Sequence, residues 1–303
     1  MRIPDEIRKS VLFIGVYEDL PEPEWRATAY LVTVPGAVRT LAAGLNSQGY
    51  TGSVSYPFRF LATARHVARK LEGKEFAIRV NNLDGSVRII KGHPDTKWWY
   101  HPTEEEYVDA AVTVFPDDFG ELDLLTIHLE WFADEQRITE ANIGAGDEVF
   151  IAGLFTKITE TTKNIPLVRI GNLASIPGER IPFKDGKLID AYLVETRSIG
   201  GLSGSPVFVR QTINMQGFTA SGRFLDSRGR PLPMNEIVQI SGLGRTYFLG
   251  SMIGHWDAPT GFAFANAEAV NMGISPMVPA HKIREILMQP GLIEMVKQVA
   301  HQR

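Results

Sequence analysis

Short runs of apolar residues recur along this chain, separated by polar or turn-forming residues. Runs rich in Val, Ile, Phe, Tyr and Thr are typical of strands in a barrel or sandwich, and not of alternating strands and helices. The pattern predicts a first group of strands at 11–16, 28–34, 59–64, 76–80, 87–90, 110–115 and 124–129. A second group is predicted at 148–152, 167–176, 191–196, 206–209, 247–253 and 261–265. We therefore expect an all-β protein with two groups of about six strands.

The boundary between the two groups is expected in the polar and turn-like stretch 131–146, which divides the chain into domains at 1–135 and 136–278. Apolar residues at helical spacing after Pro279 predict a C-terminal helix over 279–303, with an interruption at Pro290. Two further stretches, 35–57 and 211–245, are long and rich in turn residues. Loops of this length are either functional or insertions that cover surface.

Composition limits the functions that the chain can have. Its 303 residues, 44% of them apolar, can bury a large core. The 31 basic against 35 acidic residues, a net charge of -4, argue against a nucleic-acid partner, because phosphate binding needs clustered Lys and Arg. The absence of cysteine excludes disulfides, a thiol nucleophile and thiolate metal sites.

The apolar run near the N-terminus is short for a signal peptide, and no window approaches the roughly 18 apolar residues of a membrane span. We expect a cytoplasmic protein without a membrane partner.

Three segments carry candidate chemistry. Residues 200–206 read Gly-Gly-Leu-Ser-Gly-Ser-Pro, a tight turn that exposes the Ser203 hydroxyl before a buried strand. A serine hydroxyl is a weak nucleophile and needs a nearby base that a third group orients. His66 follows an apolar strand that ends in small residues, and Asp109 heads another apolar run. Asp123 heads a similar run and is the rival carboxylate, although Asp109 is the stronger candidate.

The order of these residues distinguishes between two classes of hydrolase. His66, Asp109 and Ser203 follow the chymotrypsin-like order, whereas an α/β-hydrolase runs serine, acid, histidine and would need Ser203 with Asp257 and His281. That alternative fails on context, because its Gly-x-Ser-x-Gly elbow enters a helix. Here a serine occupies the last glycine position of the motif and a strand follows.

The same segments resemble the triad regions of chymotrypsin-like (trypsin-fold) serine proteases. The serine turn resembles Gly-Asp-Ser-Gly-Gly-Pro. The segment 60–68 resembles Leu-Thr-Ala-Ala-His-Val, and the segment 108–114 resembles the Asp-Leu-Ala-Leu pattern. Residues 146–153 resemble the strand that opens the second barrel of HtrA-type bacterial relatives, and 275–280 resemble the lead-in to the final helix. The resemblance implies two six-stranded antiparallel β-barrels, with a C-terminal helix packed on the second barrel and no PDZ domain.

The resemblance also implies the roles of the candidate residues. Ser203 would be the nucleophile of a serine endopeptidase, His66 its general base and then acid, and Asp109 the group that orients the imidazole. The backbone NH groups of Gly201 and Ser203 would form the oxyanion hole. Leu202 replaces the aspartate that is usual in the family, so zymogen activation of the secreted type is not expected. The implied partner is a polypeptide substrate, and neither a cofactor nor a metal is expected.

The substrate pocket is assigned by position in the same family. Arg197 and Ser198 would lie near the pocket floor, and Met252 and His255 along one wall. A cation there would favour an acidic substrate side chain, although a solvent-facing Arg197 is the more common arrangement. The alternative to an active enzyme is a protease-fold binding or sensor protein. Such a protein would be catalytically silent, or activated by a regulatory partner that orders 211–245.

Overall fold

The computed structural model describes residues 5–17, 21–41, 54–115, 120–155, 162–196, 201–211, 230, 245–258, 270–271 and 273–302. Within these ranges the protein is mostly β, with two successive helices near its C-terminus. The predicted strand at 261–265 and nearly all of the 211–245 stretch lie outside the described residues. No helix in the described part of the chain is long and apolar enough to cross a membrane.

The first half of the chain forms one seven-stranded sheet. Its strands are β1 (Val11–Val16), β2 (Glu24–Leu41), β3 (Val54–Thr63), β4 (Phe76–Asn81), β5 (Val87–Gly92), β6 (Ala111–Val114) and β7 (Ile127–His128). Six of them pair antiparallel in the order β5-β4-β1-β2-β3-β6, and β7 pairs parallel to β2. The turn-rich stretch 35–57 is partly strand, because β2 and β3 extend into it as a long hairpin.

The first sheet differs from the expected closed barrel. In the described residues, β5 and β6 remain its two edges and do not form a ladder with each other. On its other side, β6 forms only an isolated bridge among the described residues, in which Val112 and Trp99 exchange two backbone hydrogen bonds with N–O distances of 2.8 and 2.9 Å. A strand of four residues offers few groups for a second ladder, so the hydrogen bonds do not close a first barrel.

The second half contains a closed six-stranded barrel, as the sequence predicts. Its strands are β8 (Glu148–Gly153), β9 (Leu167–Ser175), β12 (Tyr192–Glu195), β13 (Pro206–Arg210), β14 (Thr246–Met252) and β17 (Ile274–Pro279). They close in the order β12-β17-β14-β13-β8-β9. Two small two-stranded sheets lie outside the barrel and pair β10 (Ile181–Pro182) with β11 (Leu188–Ile189), and β15 (Asp257–Ala258) with β16 (Val270–Asn271). The sixth barrel strand is β17, which covers most of the segment 275–280 that resembles the lead-in to the final helix.

Four α-helices complete the described fold, and they are α1 (Arg65–Leu71), α2 (Glu135–Glu140), α3 (Ala280–Leu287) and α4 (Pro290–Gln302). The predicted C-terminal helix is thus two helices that meet before Pro290. Helix α3 packs on β14 and β17 of the barrel, whereas α4 lies against β2 of the first sheet. The helices therefore contact both halves of the chain.

Buried apolar side chains form one core inside the first sheet, one inside the barrel and a third between the two. In the third core the ring of Phe248 lies 5.3 Å from Tyr30 and 4.7 Å from Phe132, measured between ring centroids. All three rings are fully buried, and burying a large apolar side chain stabilises a fold by about 1.5–3 kcal/mol. This shared core fixes the junction between the halves, where the candidate site lies.

Candidate active site

His66 is held at the junction between β3 and α1. It is the second residue of α1, and the N-cap residue Ala64 supplies no side-chain cap. The first NH groups of a helix have no partner within the helix. The Asp109 carboxylate meets this need, because its Oδ1 accepts from the His66 backbone NH at 2.9 Å. Its Oδ2 lies 2.7 Å from Nδ1 of the His66 ring.

The contact between Asp109 and the His66 ring determines which ring nitrogen carries the proton. The Asp109 side chain is 8% exposed and that of His66 is 42% exposed, so a buried carboxylate holds an accessible ring. An ionised carboxylate only accepts hydrogen bonds, so Nδ1 carries the proton that it shares with Asp109. In the neutral ring Nε2 is then the unprotonated nitrogen and can act as a base.

The serine turn is shaped by two glycines in the left-handed region. Gly201 has φ of 96° and Gly204 has φ of 80°. A Cβ on Gly204 would collide with the carbonyl oxygen of Thr28 and the hydroxyl of Thr63. The Gly204 NH donates to the Met252 carbonyl at 2.9 Å, which ties the turn to β14. Glycine at 204 thus lets the turn pack directly against the first sheet.

Thr28 of β2 fixes the serine turn with both its backbone and its side chain. Its NH donates to the Ser203 carbonyl at 3.1 Å, and its hydroxyl donates to the Gly201 carbonyl at 2.8 Å. The hydroxyl also accepts from the Leu154 NH at 2.9 Å, and the Thr28 carbonyl accepts from the Thr63 hydroxyl at 2.7 Å. Thr28 is fully buried. One residue of the first sheet therefore joins the turn to β3 and to the residue after β8.

The Ser203 hydroxyl does not bond to His66 in this conformation. Its Oγ donates to the carbonyl oxygen of Ile253 at 3.1 Å. Ser203 and His66 nevertheless line the same two cavities. The backbone NH groups of Gly201 and Ser203 have no hydrogen-bond partner within the described residues. Two unpaired NH groups beside a serine hydroxyl form an arrangement that can bind an oxyanion.

Two cavities meet at this serine. The α1 cavity, of about 730 Å³, is lined by His66, Gly201 and Ser203 together with β1, the start of β2 and helix α1. The β11 cavity, of about 320 Å³, is lined by the same three residues together with the segment around β11 and Ile253 to His255. An extended peptide lying across Ser203 from one cavity to the other would place one of its peptide bonds beside the Ser203 hydroxyl.

The other sequence candidates lie in different places. Arg197 and Ser198 are outside the described residues. Met252 is fully buried in the barrel core and lines neither cavity, because its side chain points into the closed barrel. His255 does line the β11 cavity.

Asp123 lies away from His66 and forms an ion pair with Lys9 at 2.7 Å, so Asp109 is the carboxylate that contacts the imidazole. His281, the base of the α/β-hydrolase alternative, lines a separate cavity of about 490 Å³.

The described residues include one group that could hold a metal ion, although the sequence predicts none. His101, Glu104 and Glu285 bring one ligand atom each within 4.8 Å of the others. These groups already have protein partners, since His101 Nε2 lies 2.6 Å from Glu285, and Glu104 pairs with Lys282 and Arg180. A cation would have to displace these ion pairs.

Sequence reasoning missed Thr28 and the lysines that line the two cavities. Thr28 appears in the sequence only as the first residue of a predicted strand. The one local feature that could have singled it out is a hydroxyl between two small apolar residues, Ala27 and Ala29. All three residues are buried in the structure. The lysines lie on segments far apart in the chain, so no local pattern unites them.

The sequence matches no protein-family model. No curated protein matches it either. Among solved structures, the crystal structure of Deg5 is similar over 92% of this chain and 87% of the Deg5 chain, with 14% sequence identity and a TM-score of 0.44. A likeness so distant in sequence and so loose in superposition carries no conclusion about activity.

Proposed function

We propose that this chain is a serine endopeptidase with the chymotrypsin-like fold. In this proposal residues 1–135 supply the base and its carboxylate, 136–278 supply the nucleophile, and 279–303 form the C-terminal helical segment. The observation that carries the proposal is the contact between His66 and the buried Asp109 at 2.7 Å, beside Ser203 at the meeting point of two cavities.

The mechanism follows from the chemistry of the three side chains. Ser203 Oγ attacks the carbonyl carbon of the peptide bond while His66 Nε2 takes its proton, and Asp109 stabilises the resulting imidazolium. The carbon–nitrogen bond then breaks, and His66 returns the proton to the leaving amine. Water, activated by the same imidazole, hydrolyses the acyl-enzyme and frees Ser203. No cofactor is needed for either half of the reaction.

The oxyanion that forms in both halves of the reaction needs hydrogen-bond donors that are already in place. We assign this role to the backbone NH groups of Gly201 and Ser203, which have no other partner in the described part of the chain. A fixed donor of this kind stabilises the transition state by about 3 kcal/mol. Ser203 must first leave the carbonyl of Ile253, which requires rotation about its Cα–Cβ bond.

The test is cleavage of a diverse peptide library by the wild-type chain and by two serine variants. Ser203→Ala removes the nucleophile and is expected to lower turnover by about four to six decades. Ser205→Ala is the matched control, because the Ser205 hydroxyl is two residues away and fully buried. Turnover by Ser203→Ala at the wild-type rate would disprove the proposal.

A second candidate function is a latent or silent protease-fold protein that recruits a partner. The observation that favours it is the Ser203 hydroxyl bonded to Ile253 and not to His66. Latency would end when a regulatory partner orders nearby loops and turns the hydroxyl toward the imidazole.

A covalent fluorophosphonate probe, used beside the peptide library, separates these cases. Cleavage of the library supports the active enzyme. Labelling without cleavage supports a latent protease, and the absence of both supports a scaffold. Each outcome can be read on the same preparation of the full chain.

A further inference from the structure

Among the described residues, those that line the two cavities at Ser203 include more basic than acidic side chains. The basic ones are Arg26, Lys70 and Lys74 in the α1 cavity and Arg65, Lys184 and Lys187 in the β11 cavity. The acidic ones are Glu24 in the first cavity and Glu106 and Asp109 in the second. The whole chain carries a net charge of -4, so the cavities have the opposite sign to the molecule.

The acidic side chains of the cavities are already engaged. Glu24 pairs with Arg26 at 2.6 Å, and Asp109 is bound to His66 at 2.7 Å. A hydrogen bond to Glu106 raises the pKa of the neighbouring Tyr107 hydroxyl. Glu24 and Asp109 are therefore paired with groups other than the lysines. Glu106 keeps its charge, but no described lysine ammonium group lies within 4 Å of its carboxylate.

Four lysines remain without a carboxylate partner among the described side chains. They are exposed, and no described carboxylate oxygen lies within 4 Å of their ammonium groups; they are Lys70 and Lys74 in the α1 cavity and Lys184 and Lys187 in the β11 cavity. Lys184 only approaches the ring of Phe183, at 5.6 Å from the ring centroid. Each cavity thus presents two exposed positive charges along the path that a substrate would follow.

We infer that the site selects polypeptides with Asp or Glu on both sides of the bond that lies at Ser203. This inference rests on the proposed function, because it assumes an extended chain that crosses Ser203 and enters both cavities. An extended chain advances about 3.3 Å per residue, so acidic residues within a few positions of the bond reach the lysines. Each exposed ion pair contributes a modest factor of about twofold to fivefold in affinity, and four act together.

The first test measures binding without cleavage. The Ser203→Ala chain is mixed with a fluorescein-labelled acidic peptide mixture, and with a neutral mixture in which Asn and Gln replace every Asp and Glu. Fluorescence anisotropy should give a dissociation constant at least about tenfold lower for the acidic mixture at low salt. The difference should vanish at about 1 M salt, where the screening length is about 3 Å. Equal affinities for the two mixtures at low salt would overturn the inference.

The second test assigns each pair of lysines to one side of the bond. Lys70→Glu with Lys74→Glu should weaken binding of peptides that are acidic on one flank only, and Lys184→Glu with Lys187→Glu should weaken binding of peptides acidic on the other flank. Lys91→Glu is the control, because Lys91 is an exposed lysine on β5 that lines neither cavity. Loss of affinity in the control equal to that in the paired variants would overturn the inference.

A single-stranded oligonucleotide that binds more tightly than the acidic peptides would identify the lysines as a nucleic-acid surface and overturn the inference. Failure of the wild-type chain to react with a fluorophosphonate would contradict the proposed enzyme, whereas the binding measured on Ser203→Ala would still decide the charge preference.

Discussion

At the scale of single residues, Thr28 shows how the first sheet controls a turn that belongs to the barrel. Its hydroxyl both donates to the Gly201 carbonyl and accepts from the Leu154 NH. The Gly201 carbonyl belongs to the peptide before Leu202, so holding it fixes the backbone between the two candidate oxyanion donors. Thr28 touches no substrate atom in this scheme and is a positioning residue.

Thr28→Val tests this role, because valine has nearly the same shape and no hydroxyl. The change leaves two buried backbone groups unpaired, and each costs about 1–3 kcal/mol of unfolding free energy. We expect kcat for peptide cleavage to fall by about tenfold to a hundredfold with little change in KM, since the ground-state contacts remain.

Thr28→Ser keeps the hydroxyl and serves as the control. It should retain most of the kcat and lose stability only through the missing methyl group. Steady-state kinetics measures kcat, and urea unfolding measures the loss of stability. A Thr28→Val variant with wild-type kcat and stability would contradict the positioning role.

The sequence could indicate the candidate residues but not their conformation. His66 was recognisable because it follows the end of an apolar run, and Asp109 because it heads another. Their contact arises because the end of β3 pairs with the start of β6, with Thr63 opposite Ala111. The choice against Asp123 needed the structure, because both carboxylates head similar runs and only contacts distant in sequence separate them. The orientation of the Ser203 hydroxyl depends on the carbonyl of Ile253, 50 residues away, which no local pattern encodes.

At the scale of elements, closure of the barrel depends on a close approach between β14 and β17. Gly250 has φ of 150°, and a Cβ there would collide with the carbonyl oxygen of Val278. β17 contains two prolines, which lack the NH that a ladder uses, so the sequence did not present it as a strand. Its pairing on both sides with β12 and β14 compensates for the missing donors.

Gly250→Ala should therefore lower the unfolding free energy by about 3 kcal/mol or more, from backbone strain together with the clash against Val278. Gly144→Ala is the matched control, since a Cβ at Gly144 meets no atom within 4 Å. The control should change stability by less than about 0.5 kcal/mol. Chemical denaturation of both variants gives the comparison, and equal stability of the two would contradict this account of closure.

At the scale of the whole molecule, ion pairs around Glu104 connect the two halves. Glu104 lies between Trp99 and Asp109 in the first half and pairs with Arg180 beside the barrel and with Lys282 of α3. Arg180 also stacks over the Tyr107 ring at 3.7 Å. These contacts hold the segment that leads into Asp109, so the carboxylate of the candidate triad depends on both halves.

The pKa of Glu104 gives this network a pH dependence. The hydrogen bond from Lys282 holds the pKa of Glu104 below its ordinary value of 4.5. A carboxylate with a lowered folded-state pKa stabilises the fold above its ordinary pKa, and this contribution is lost as the pH falls through the lowered value. We expect the wild-type chain to be more stable than Glu104→Gln by about 1 kcal/mol near pH 7, and this difference to shrink as the pH falls below the ordinary pKa of 4.5.

Glu121→Gln is the control for this comparison, because Glu121 is exposed on the surface of the first half. Its stability difference from the wild-type chain should stay near zero across the same pH range. Urea unfolding at several pH values measures both differences. A Glu104→Gln difference that does not change with pH would contradict the proposed network.

The number of strand groups was readable from the sequence, whereas closure was not. The apolar runs and the turn residues between them are local features of the sequence. They predict five of the six barrel strands at the positions that the structure shows. Closure depends on which edges meet, and the first sheet ends at β5 and β6 with only the bridge between Trp99 and Val112 across the gap. The contact of α4 with β2 likewise joins segments that no sequence window contains together.

Mass spectrometry of the chain after reaction with a fluorophosphonate tests directly whether Ser203 is the nucleophile. We predict one adduct per chain, located on the peptide that contains Ser203. The adduct should be absent in Ser203→Ala, strongly slowed in His66→Gln and unchanged in Ser205→Ala. An unlabelled wild-type chain, or an adduct that persists in Ser203→Ala, would contradict the assignment of Ser203 as the nucleophile.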